Sequence, residues 1–117
     1  MTNERLVSAL AEYGADVDAI AGRFLNDYDL YAVCLDKFIA GKSFEALGRA
    51  ISKKEYTTAF EIAHDLKGVS GNLGLNPMYA AICGIVEPLR AREYGELNLR
   101  YDAIMSCLSE LTALARG

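Results

Sequence analysis

Apolar residues recur three and four positions apart along the chain, and no stretch alternates apolar with polar at period two. A three-four spacing aligns side chains on one stripe of a helix, whereas a half-buried strand needs alternation. The chain is therefore confined to helices packed on helices, an all-α fold. Its 117 residues, 52% of them hydrophobic, suffice for one domain with a core of its own.

The punctuation divides the chain further. Leu6, Val7, Leu10 and Ala11 mark a first helix ending near Tyr13 and Gly14, and Asp16 to Phe24 reads as a short second one. Asn26 or Asp27 is placed to cap a third, carrying Leu30, Tyr31, Cys34, Leu35 and Phe38 and stopping before Gly41. Ser43 is placed to cap a fourth (Phe44, Leu47, Ile51), and a long helix follows from about Glu55 to Leu73. Gly74 occupies a left-handed C-terminal position, and Asn76-Pro77 reads as an N-cap followed by a first-turn proline. Pro88 predicts a kink or an early end to the helix through Ile82, Ile85, Val86 and Leu89. A last helix is expected from Leu97 to Ala115, after Gly95. Short connections between long helices favour an antiparallel bundle. The expected architecture is one domain over 1–117: residues 1–25 as a helical extension and 26–116 as the bundle.

Several function classes are disfavoured. A net charge of −4 argues against nucleic acid, which requires a basic surface. Cys34, Cys83 and Cys107 lie far apart among apolar neighbours, as buried reduced thiols would, and there is no Cys-x-x-Cys to hold a metal. The N-terminus lacks the continuous apolar core of a signal peptide. The longest apolar run, Pro77 to Val86, is about half of what a membrane span needs. A cytoplasmic chain with no membrane partner is expected, and Met1 with the compact ending points to a whole protein. GKS at 41–43 lacks the first glycine of a phosphate loop, since Asp36 stands there, and no strand precedes it. The G-x-x-G-x-x-G of 68–74 lies within a helix and at its end, unlike a dinucleotide loop.

The stretch HDLKGVSGNLGL, 64–75, holds the only histidine and then Gly68, Gly71 and Gly74. With His64 at zero on a helical wheel, Ala59, Ile62, Leu66, Val69 and Leu73 fall within about 40° of the opposite pole, the expected core face. His64 then points outward, with Phe60, Lys67, Gly68 and Gly71 beside it. A glycine inside a helix costs about 1 kcal/mol relative to alanine. Gly68 and Gly71 read as gaps that let a partner's backbone or a phosphoryl group approach, and Phe60 as an apolar group on a wet face. Gly74 merely ends the helix.

A neutral imidazole, whose ordinary pKa is about 6.5, is nucleophilic near neutral pH. Held on a rigid helix, it is suited to attack phosphorus and carry the group as a phosphoramidate, with Lys67 screening the charge. The chain offers no ATP loop and no acidic cluster for Mg²⁺, so the remaining machinery falls to a partner. It is not expected to be an enzyme in its own right and needs no cofactor.

These residues resemble the signature of the histidine-containing phosphotransfer (HPt) family. AHDLKGVSGNLGL, 63–75, matches the family's H-x-L-K-G…L-G pattern at His64, Leu66, Lys67, Gly68, Leu73 and Gly74. More loosely, NDYDLYAVCLDKF, 26–38, is similar to the helix entering the family's bundle, and the helix after Pro77, with Glu87, also fits. The resemblance implies an antiparallel four-helix bundle with extra short N-terminal helices. It implies that His64 accepts a phosphoryl group from a receiver-domain aspartate and donates it to another, with Mg²⁺ in the receiver and Lys67 and Gly68 near the phosphate. The implied partners are response-regulator receivers and a sensor or hybrid histidine kinase, met by a monomer. Val69 departs from the family's usual serine or alanine, and the wheel puts it on the core side. Two alternatives stay open: a chemotaxis-kinase-like histidine domain phosphorylated by an ATP-binding domain, and a phosphate-independent docking module in which Phe60 and the glycine surface bind a receiver or kinase.

Overall fold

The structure, a computed structural model, describes residues 2–116. Among them are seven helices and no strand: α1 (Asn3–Tyr13), α2 (Val17–Phe24), α3 (Tyr28–Ala40), α4 (Ser43–Ser52), α5 (Tyr56–Asn72), α6 (Asn76–Ala91) and α7 (Leu97–Arg116). The chain is all-α, as its periodicity requires. α5 packs between α4 and α6, α7 lies on α6 and meets α4, and α1 and α3 pack on the other part of α7. No helix among the described residues is long and apolar enough to cross a membrane.

The helix ends follow local chemistry. Thr2, Asp16 and Asp27 accept the backbone N–H three residues on, at 3.0–3.2 Å, and start α1, α2 and α3. Ser43 does not cap α4: Lys42 holds the N-cap position and Ser43 is already helical. Asn76 is likewise the first residue of α6, with Leu75 at the cap. Leu75 is fully buried, so its side chain anchors the entry where a polar cap was expected. Pro88 neither ends α6 nor is followed by an early break. The helix runs on to Ala91, and the Pro88 carbonyl accepts the Glu93 N–H at 2.9 Å. A proline this near the end removes only one helical bond, and the last turn closes without it.

Two contacts fix the far end of α5. The buried Tyr31 hydroxyl of α3 donates to the Leu73 carbonyl at 2.6 Å, while the ring meets Phe24 edge-on at 5.1 Å between centroids. From α2, Arg23 donates to the carbonyls of Gly71 and Asn72, both at 3.0 Å. A cation there satisfies free C-terminal carbonyls and opposes the negative end of the helix dipole. The short N-terminal helices thus brace the helix that carries the histidine.

Burial pushes the hydroxyls of Tyr31 and Tyr13 well above the ordinary tyrosine range. A folded-state pKa raised in this way contributes stability that is complete below the unfolded value of about 10 and is lost as pH rises through the folded one. Denaturation is therefore expected to ease above about pH 10. Tyr31→Phe, which orphans the Leu73 carbonyl, should cost about 1–2 kcal/mol at neutral pH and flatten the alkaline loss. Urea titrations at neutral pH and above pH 10 check both.

Candidate functional site

The buried stripe of α5 is Ala59, Ala63, Leu66 and Ser70, continued by Leu73 at its end. It is turned by about 40° from the expected pole. Val69, expected in the core, is 44% exposed, and Ile62 is only half-buried. Ser70 takes the inward place because its hydroxyl donates back to the Lys67 carbonyl at 3.0 Å, which satisfies it without water. Ala63 and Ser70 are small and let neighbouring helices approach. His64 remains on the exposed side, as the wheel placed it.

The residues expected around His64 gather there, with two changes of role. The Phe60 ring lies 5.8 Å from the His64 ring, tilted by 38°. It is half-buried and packed against the core, not stranded in water, and the Arg90 guanidinium of α6 sits 5.7 Å over its face. Arg90 is itself held by Glu87, at 3.0 Å. Gly68 is fully open: a Cβ built there would meet no heavy atom within 4 Å. Gly71 is not. A Cβ there would press on the Tyr79 ring at 3.3 Å, so the gap is filled from within the molecule and is not free for a partner. Tyr79, from the first turn of α6, lies with the Lys67 ammonium 6.0 Å from its ring centre. Gly71 therefore acts on the site indirectly, by seating the aromatic ring on which Lys67 rests.

Tyr79, Arg90 and Arg23 were not singled out from the sequence. For Tyr79 the signal is the tight α5–α6 connection, which places the first turn of α6 opposite the last turns of α5; Arg90 and Arg23 depend on how α6 and α2 lie against α5, which one helix's spacing does not contain. All three cysteines are free and half-buried, less enclosed than expected. Burial, then Glu110, pushes the Cys107 thiol up, and the group faces the Pro77 carbonyl at 3.8 Å. No group of three or more metal-binding side chains clusters among the described residues.

No protein-family model, curated protein or solved structure matches the chain. The likeness to the HPt family accordingly rests on the residues themselves, chiefly 63–75.

Proposed function

We propose that the chain is a histidine phosphotransfer protein of a two-component phosphorelay, with His64 as phosphoryl carrier. The observation that carries this reading is an exposed imidazole on a braced helix with Gly68 open beside it, at a place where alanine would serve stability better. A ring nitrogen of His64 attacks the phosphorus of a partner's aspartyl phosphate. The N–P bond forms as the P–O bond to the aspartate breaks, the carboxylate leaves, and the imidazole sheds its proton to water. The reverse step loads a second aspartate. Lys67 offers the phosphoryl oxygens an ammonium group, and Mg²⁺ belongs to the partner receiver.

The packing of α4 to α7, each against the next and α7 back against α4, supports the four-helix bundle of this reading; α3, expected within the bundle over 26–116, packs on α7 and α2 beside it and serves with α1 and α2 as bracing. A single copy suffices for the chemistry, in keeping with a cytoplasmic monomer that serves a sensor or hybrid kinase and its receivers.

The test is a shuttle between two receiver domains. A phosphorylated donor receiver and an unphosphorylated acceptor are mixed with Mg²⁺, and label on the acceptor is followed with and without this protein. Wild type is expected to speed the exchange, and His64→Gln to leave it at background. Tight binding to a receiver without any exchange would favour a docking module in place of a carrier.

A further inference from the structure

His64 lies on a boundary between two unlike flanks. Toward α4 and α3 stand the exposed carboxylates Glu61 and Asp65 and the apolar Val69. Toward α6 the surface is aromatic and cationic, carrying Phe60, Lys67 over Tyr79, and Arg90 over Phe60. On this second flank a cleft of about 250 Å³ opens between the start of α5 and the end of α6. Tyr56, Thr57, Phe60, Arg90, Arg92 and Tyr94 line it. One wall is held by the Tyr56 and Tyr94 rings, stacked 3.6 Å apart and within 12° of parallel. Phe60, one helical turn beyond Tyr56 on α5, also lines the cleft, and its ring lies 5.8 Å from the His64 ring.

The cleft's cations are poised for an anion. Arg90 is fixed by Glu87 and by Phe60. Arg92, exposed at the C-terminal turn of α6, makes no ion pair among the described residues. Arg92 is thus an unpaired positive charge at the cleft, in a chain of net charge −4. The geometry points to this cleft as an anchor for an acidic side chain of the protein that exchanges phosphate with His64. This inference rests on the phosphotransfer reading and adds to it which way round the partner sits. Thr57 lies seven residues before His64, about 10 Å along the helix, so one rigid protein surface spans both while a small free anion does not. On the other side the carboxylates Glu61 and Asp65 repel the same acidic patch, with Lys37 of α3 the one cation lining the groove beside Asp65, which makes the reversed orientation less favourable.

The experiment compares two phosphoryl donors on wild type, Arg92→Glu, and Arg5→Glu as a charge-matched control on α1, far from the cleft. One donor is a panel of receiver domains phosphorylated with acetyl phosphate, in Mg²⁺. The other is phosphoramidate, which reaches the imidazole without docking. The loss caused by Arg92→Glu should be at least tenfold greater with the receivers than with phosphoramidate, and should shrink as salt is raised. Arg5→Glu should follow wild type with both. Equal transfer from receivers to wild type and Arg92→Glu at low salt overturns the anchor alone. So does equal transfer accompanied by an inorganic-phosphate ³¹P shift that Arg92→Glu abolishes, which assigns the cleft to a free anion. A wild type labelled by phosphoramidate but by no receiver overturns the phosphotransfer reading, and the anchor with it.

Discussion

Gly74→Ala is expected to lose about 2–4 kcal/mol of stability. Gly74 has φ +66°, a left-handed conformation that costs a residue with a Cβ about 1–2 kcal/mol. The added carbon would also stand 2.9 Å from Ile20 Cγ1 and 3.3 Å from the Asp16 carbonyl oxygen. Ile20 is fully buried and has no room to retreat. The Asp16 backbone is held too, since its N–H donates to the Gly74 carbonyl at 2.9 Å. The strain falls on the junction where α2 braces the end of α5, so loosening should reach the Lys67–Tyr79 contact. Urea unfolding gives the magnitude, and a loss under about 1 kcal/mol would mean that the junction relaxes freely.

Gly68→Gln should behave in the opposite sense on two measurements. The site is helical and open, so replacing glycine should stabilise the fold by somewhat under about 1 kcal/mol. The new side chain projects into the space one turn beyond His64, where a partner has to come close. Transfer from a phosphorylated receiver should fall on the order of a hundredfold, about 2.7 kcal/mol in the barrier. Labelling by phosphoramidate, which needs no docking, should fall much less. A variant more stable than wild type and poorer at transfer separates function from folding. Undiminished receiver transfer would remove Gly68 from the docking surface.

The sequence revealed the elements better than their exact rotations. Helical periodicity places all seven helices, and Asp27, Gly14 and Gly74 mark ends that the structure keeps. Three others end on residues in the left-handed region that are not glycine, Leu25, Lys54 and Arg92. No propensity marks these: all three are exposed, and each turn is closed by a backbone bond just after it, from Asn26 to Ala21, Glu55 to Ala50 and Glu93 to Pro88. The rotation of α5 differs from the expected one because of a single side chain. Val69 outranks Ser70 on any hydrophobic scale, yet one back-bonded hydroxyl lets Ser70 lie inside. His64, Lys67 and Gly68 were legible because they are neighbours on a single helix. The seating of Tyr79 on Gly71, and of Arg90 on Phe60, depends on how α6 lies across α5, which spacing along one helix does not contain.

The central claim is that His64 carries phosphate, and the most direct measurement locates the group. The protein would be treated with a phosphorylated receiver and Mg²⁺, then examined by intact mass, ³¹P NMR and fragmentation. One acid-labile, base-stable phosphoryl group is expected on the imidazole of His64, and none on His64→Gln. A base-labile group on a carboxylate, or equal labelling of His64→Gln, would contradict it.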